Sequence, residues 1–100
     1  MITVRRNTQA HRYELLVDDA LAGFAEYNEL STRVVFTHTE ILPAFQGQGY
    51  SAVLIQRALE DVRALGKHVV PVCPAVAAFL RKHPEFHDLL TAETREAHRI

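Results

Sequence analysis

A single cysteine, Cys73, no tryptophan, and only 4 glycines and 4 prolines occur among the 100 residues. One cysteine excludes an internal disulfide, and residues 1–20 show no basic start followed by an apolar stretch and a small-residue cleavage site, so the reading is a chain of the reducing cytoplasm. Long apolar runs are missing as well. The 48% of hydrophobic residues come in short, interrupted groups, none long enough for a membrane-crossing helix. Charge of one sign is also lacking: 11 Lys and Arg stand against 12 Asp and Glu, the net charge is −1, and the basic residues are scattered. That excludes the electrostatic footprint of a duplex nucleic-acid binder. There is no internal repeat, low-complexity stretch or linker, and 11.3 kDa supports one core. The division read from the sequence is a domain over residues 1–90 and a polar tail over 91–100, frayed or loosely docked.

What is present is an ordered succession of patterns. Ile2 to Arg5 predicts a short strand, His11 to Val17 a second, and Leu21 to Tyr27 a third joined to it through Asp18-Asp19, with Gly23 marking a bulge. Thr32 to Leu42 is the strongest strand pattern. Strict alternation places Val34, Phe36, His38, Glu40 and Leu42 on one face and Val35, Thr37, Thr39 and Ile41 on the other. Pro43 ends that strand, because it has no N–H to give to a ladder. From Ser51 the spacing changes to threes and fours: Leu54, Ala58, Val62 and Leu65 form the apolar face of a helix, capped by Gly66. Val69 to Val72 is a short strand interrupted by Pro71, and Pro74 opens a second helix over Ala75 to Lys82 that stops before Pro84. Glu85 to Leu90 adds a further turn.

Between the strongest strand and the first helix stands Gln46-Gly47-Gln48-Gly49-Tyr50-Ser51. A glycine turn at a helix N-terminus presents free backbone N–H groups where the helix dipole favours negative charge, which suits a phosphate. Gly47 and Gly49 allow close backbone approach and positive φ. A tight connection between strand and helix is the plain alternative. Two other phosphate motifs fit poorly. A Walker loop needs a Lys followed by Ser or Thr, and no lysine is present here. A dinucleotide fingerprint finds Ala52 in its third small position but no acidic residue at the right distance after a following strand.

The loop resembles that of the Gcn5-related N-acetyltransferases (GNAT), which reads Gln or Arg, two variable residues, Gly, one variable residue, then Gly or Ala. Gln46 and Gly49 match, with Ser51 in the last place, and Pro43 also recurs in that superfamily. The chain is more similar still to a subfamily of about 100-residue single-domain members, in which a His-Thr-Glu segment precedes the loop and a Cys follows the next strand. Those are here His38-Thr39-Glu40 and Cys73, and the similarity runs on through Ala77-Ala78-Phe79-Leu80 to His83-Pro84-Glu85-Phe86. The resemblance implies acetyl-CoA as cosubstrate and no metal. It places the pyrophosphate on Gln46, Gly47, Gln48, Gly49, Tyr50, Ser51 and Ala52, and the pantetheine arm along the backbone of Glu40, Ile41 and Leu42. In the superfamily a backbone N–H on the strand before the loop steadies the oxyanion and a tyrosine protonates the departing thiolate. Here Cys73 stands where an asparagine is usual and Leu80 where the tyrosine is usual.

Three residues are therefore candidates for the chemistry. Two roles are open to Cys73, proton donor to the leaving thiolate or acetyl-carrying nucleophile, and its place before Pro74 at a helix start suits either, as does the plain role of a small buried hydrophobe. His38 is a general-base candidate, with Glu40 to orient it or to act as the base itself. His83 and His87 have metal-ligand spacing, but Pro84 breaks the helix that would hold them on one face. The fold expectation is α+β, a GNAT-like three-layer α/β/α arrangement with a mixed sheet whose parallel strand pair splays apart. The function expectation is N-acetyl transfer to an unidentified amine by a monomer or weak dimer; the alternative is a CoA-binding module or sensor without catalysis.

Overall fold

The computed structural model describes residues 1–100. Its sheet has five strands in the order of the chain: β1 (Ile2–Asn7), β2 (Arg12–Val17), β3 (Ala20–Glu29), β4 (Arg33–Ile41) and β5 (His68–Pro71). The first four are antiparallel neighbours, because short hairpins join them. β5 runs parallel to β4, since α1 (Tyr50–Ala64) carries the chain back across the sheet between them. A second helix, α2 (Pro74–Lys82), follows β5. No helix is long and apolar enough to cross a membrane. The α+β class and the mixed sheet with one parallel pair agree with the sequence pattern.

The β2–β3 hairpin turns on Asp18 and Asp19, with φ of 49° and 69°. Two successive left-handed residues give the turn whose twist matches a two-residue hairpin. Between Leu15 and Leu16 the β2–β3 register slips at Ala22, beside Gly23, so the expected irregularity in β3 is present. Gly23 earns its place through contact. A Cβ there would lie 2.6 Å from Ile41 Cδ1 and 2.7 Å from the Glu40 carbonyl oxygen, so β3 and β4 approach as only glycine allows.

A second slip corrects the sequence reading. Glu26 pairs with His38 and Tyr27 with Phe36, leaving Thr37 without a partner, so β4 is bulged there. A bulge inserts one residue and reverses the alternation beyond it. Val34 and Phe36 face α1 and are buried, but past Thr37 it is Thr39 and Ile41 that face α1, while His38 and Glu40 face the other way. His38 and Glu40 still share a face, though not the one that Phe36 occupies.

One apolar cluster joins the α1 side of the sheet (Tyr13, Leu15, Tyr27, Phe36) to Leu54 and Leu59 of α1 and Val76 and Leu80 of α2. Both helices thus cover the same side. The opposite face carries Arg5, Glu26, His38 and Glu40, all exposed. On that open face Glu14 is only 2% exposed, bonded by Arg5 Nε at 2.9 Å, Arg12 Nε at 2.8 Å and Asn7 Nδ2 at 3.3 Å. Burial raises its pKa, yet the combined hydrogen bonds of Arg12, Arg5 and Asn7 outweigh it and hold the carboxyl below its ordinary range.

Residues 91–100 are not a frayed tail. They form α3 (Ala92–His98), because the Thr91 hydroxyl caps the Thr94 N–H at 3.1 Å and Arg81 donates to the carbonyls of His98 and Arg99.

Candidate active site

The site lies where β4 and β5 part. Their pairing runs from Arg33 with His68 to Phe36 with Pro71, and the Cys73 N–H closes it by donating to the Phe36 carbonyl at 2.8 Å. Beyond Phe36, β4 has β3 on one side and an open edge on the other. The Glu40 carbonyl points toward Gly23 of β3, so by the alternation of a strand the backbone groups facing the opening belong to Thr39 and Ile41. This shifts the Glu40, Ile41 and Leu42 assignment. Glu40 turns its backbone inward, and the Leu42 N–H is already bonded to the Ala22 carbonyl at 2.8 Å.

After β4 the chain makes a short 3-10 turn over Pro43–Phe45 and enters the glycine loop. Gln46 Nε2 reaches back to the Ile41 carbonyl at 3.1 Å, tying the loop to the end of β4. Gly47 has φ of 81° and Gly49 φ of 76°, both left-handed, and a Cβ at either would meet no other atom within 4 Å. Conformation, not crowding, asks for glycine here. The N–H groups of Gly47, Gln48 and Gly49 have no acceptor within the protein. They stand at the N-terminus of the 15-residue α1, which has no side-chain cap and no acidic residue in its first turn. Free donors at the positive end of a helix dipole fit a pyrophosphate. Tyr50 packs against Phe45, with ring centroids 6.4 Å apart.

Cys73 is the N-cap residue of α2 and is 3% exposed. Its Sγ lies 3.4 Å from Thr39 Oγ1, which puts the thiol at the opening and on the α1 side of β4. His38 and Glu40 are on the other side of the strand. His38 Nε2 and Glu40 Oε1 are 3.2 Å apart, and the side chains are 54% and 48% exposed. The structure therefore joins His38 to Glu40, and Cys73 to Thr39, but sets the two pairs on opposite faces. Thr39 is the residue that sequence reasoning missed; its contact with Cys73 spans 34 positions, and only its place inside His38-Thr39-Glu40 marked it.

Leu80, which stands where the resemblance puts a tyrosine, is fully buried in the core and offers no proton. His83 stacks on Phe79 at a centroid distance of 3.9 Å, and His87 Nε2 bonds the Leu80 carbonyl at 2.7 Å, so each is held by its own neighbours. Beside the glycine loop a cavity of about 300 Å³ opens between α1 and α2, reached from Ser51 and Ala52 on one wall and from Ala75 and Ala78 on the other.

Among solved structures, a protein assigned to the GNAT family of acetyltransferases from Desulfovibrio desulfuricans superposes with a TM-score of 0.51 at 20% identity over 74% of this chain and 52% of its own. N-acetylglutamate synthase from Neisseria gonorrhoeae, solved with coenzyme A and N-acetyl-glutamate, gives 0.52 at 16% identity over 98% of this chain and 26% of its own. The chain thus spans about half of the first protein and about a quarter of the second, and what they share with it is the fold. No curated protein matches the sequence. Residues 12–89 match the family model for the GCN5-related N-acetyl-transferases, and the chain belongs to that family.

Proposed function

We propose that the chain transfers an acetyl group from acetyl-CoA to the nitrogen of an amine. The observation that carries this reading is the row of unpaired N–H groups on Gly47, Gln48 and Gly49 at the start of α1, a cradle for a pyrophosphate in a chain of this family. Acetyl-CoA supplies an acetyl group already activated as a thioester. Thr39 and Ile41 offer backbone groups for its pantetheine arm along the open edge of β4, and the same edge has N–H groups for the carbonyl oxygen on which charge develops.

The placement of the side chains divides the proton traffic. His38 Nε2, steadied by Glu40 Oε1, lies on the open face of the sheet, from which an amine can approach without displacing a helix. Its task is to take the proton that the amine nitrogen loses. Cys73 Sγ lies on the other side of β4, facing the helices, where it can give a proton to the departing sulfur or receive the acetyl group itself. A base and an acid on opposite sides of one strand suit a transfer whose two partners enter from opposite sides.

A second reading, CoA binding without transfer, is favoured by one observation: the position of the usual tyrosine acid is occupied by the buried Leu80. Turnover separates the two. Incubation with acetyl-CoA and a panel of amines and lysine peptides, read as released CoA thiol, is expected to show activity that falls at least tenfold in His38→Gln and in Cys73→Ala. Tight CoA binding with no thiol release for any acceptor would favour the second reading. No CoA binding would end both.

A further inference from the structure

The opposite end of the β4–β5 pair holds a second concavity. The ladder begins with Arg33 and His68 and parts only after Phe36 and Pro71. At its closed end the Leu30 N–H donates to the Arg33 carbonyl at 2.7 Å and the His68 N–H to the Thr32 carbonyl at 2.9 Å. Beside that end lies a cleft of about 780 Å³, between the β1–β2 turn, the last residues of β3 and the chain leaving α1. Its walls include Thr8, His11, Tyr27, Glu29 and Lys67, none of which belongs to the glycine loop or to the His38 and Cys73 pairs.

Tyr27 is the unusual member. It is 3% exposed, and its hydroxyl is the one buried side-chain polar atom with no hydrogen-bond partner in the protein. Tyr13, whose ring centroid is 5.2 Å away, is just as buried, yet its hydroxyl is satisfied by Asp61 at 2.6 Å. A buried hydroxyl left unpaired is destabilising, and phenylalanine would fill the same space without that cost. Burial raises the Tyr27 pKa, with the charge of Arg6 pulling against it, so the phenol is a donor without an acceptor. Pairing of Tyr27 with Phe36 and of Glu29 with Val34 puts both side chains on the α1 side of β3.

The cleft adds further donors and a single carboxylate that is already compensated. Lys67 Nζ lies 2.6 Å from Glu29 Oε2 and gives a second bond to the Leu30 carbonyl at 2.8 Å, which leaves its third N–H. The bond from Lys67 holds the Glu29 carboxyl below its ordinary range. The Thr8 hydroxyl and the His11 ring make no hydrogen bond within the protein. The His11 carbonyl accepts from the Tyr27 N–H at 2.9 Å, which fixes the β1–β2 turn against β3 at this residue. Unused donors thus surround an unpaired hydroxyl, and what they lack is an acceptor.

We infer that this cleft binds a small oxyanion, a carboxylate or a phosphate, which accepts from the Tyr27 hydroxyl and the remaining Lys67 N–H, with His11 and Thr8 at the rim. The site stands apart from the cofactor opening and is independent of the acetyl-CoA reading.

Inorganic phosphate and malonate, titrated separately into the wild type, Tyr27→Phe and Tyr13→Phe, test this by magnetic resonance of tyrosine rings and backbone amides. The wild type is expected to show saturable shifts at Tyr27, Glu29 and Lys67, and the tighter of the two probes tells whether the cleft prefers a phosphate or a carboxylate. Tyr27→Phe should bind about tenfold more weakly, the loss of one hydrogen bond to a charged group, while any phosphate response of Gly47 and Gly49 stays as in the wild type. Without either anion, Tyr27→Phe should melt at or above the wild type and Tyr13→Phe below it. Absence of saturable shifts at these three residues with both probes, or binding unchanged in Tyr27→Phe, overturns the inference. So does a Tyr27→Phe that melts as far below the wild type as Tyr13→Phe, since the hydroxyl is then satisfied without a ligand.

Discussion

Replacing Gly23 by alanine tests how the fold sets up the site. The new Cβ would lie 2.7 Å from the Glu40 carbonyl oxygen and 2.6 Å from Ile41 Cδ1, whereas ordinary contact begins near 3.4 Å. The isoleucine methyl can rotate aside, but the carbonyl belongs to β4, so the strand must move by about 0.7 Å, the difference between 3.4 and 2.7 Å. Overpacking of this size costs about 2 kcal/mol. At about 4–8 °C per kcal/mol for a domain of this length, the melting temperature should fall by about 8–16 °C. Gly66→Ala is the control. Its φ is 72° and a Cβ there meets nothing within 4 Å, so only the left-handed backbone cost of about 1 kcal/mol remains, or about 4–8 °C. CoA affinity should fall in Gly23→Ala, because Glu40 and Ile41 shift, and hold in Gly66→Ala. If thermal unfolding shows Gly23→Ala melting at or above Gly66→Ala, the close approach of β3 and β4 is not what the geometry says.

Further perturbations probe separate parts of the account. Glu14→Gln leaves Arg5 and Arg12 facing a neutral group on the sheet and should cost about 2 kcal/mol by chemical denaturation near neutral pH, less than a fully buried pair because both arginines reach solvent. The native pKa of Glu14 lies below its ordinary value of 4.5, so its contribution is fully present above that value and is lost as pH falls through the native pKa. The gap between wild type and Glu14→Gln should therefore close in acid, and a gap that widens there would contradict the network. Tyr13→Phe removes a 2.6 Å hydrogen bond from the Tyr13 hydroxyl to Asp61 of α1 and should cost about 1 kcal/mol, with no effect on CoA affinity. Burial, then the bond to the Asp61 carboxylate, raises the Tyr13 pKa, so ultraviolet titration should find this phenol still protonated where free tyrosine has ionised. Thr91→Ala removes the cap of α3 and should cost about 1 kcal/mol, with faster amide exchange confined to the last helix.

These residues also show where the sequence was sufficient. Asp18-Asp19, Gly47, Gly49 and Pro74 were legible because each answers a local backbone demand: a left-handed turn, a left-handed helix entry, a first helical position without an N–H. Gly23 announced an irregularity but not its cause, since the atoms that forbid a Cβ come from β4. The bulge at Thr37 left no trace in an alternation that looks unbroken from Val34 to Leu42; only pairing with Glu26 and Tyr27 reveals it, and it decides which side of the strand His38 occupies. Thr91 and Thr94 carried a readable capping signal, which the polar composition of 91–100 masked, because docking of α3 depends on Arg81 far back in the chain. The Cys73 to Thr39 contact and the cavity between α1 and α2 join residues from different elements, and no spacing rule reaches that far.

The central claim is that Gly47, Gln48 and Gly49 offer their free N–H groups to the pyrophosphate of CoA. Backbone amide spectra of isotope-labelled protein, recorded while CoA is added, observe those groups directly. The account predicts that the amides of Gly47, Gln48, Gly49 and the first turn of α1 shift most and saturate with one binding constant, and that Gly49→Val abolishes the response. Saturable shifts clustered elsewhere with these amides unmoved, or an unchanged titration in Gly49→Val, would contradict it.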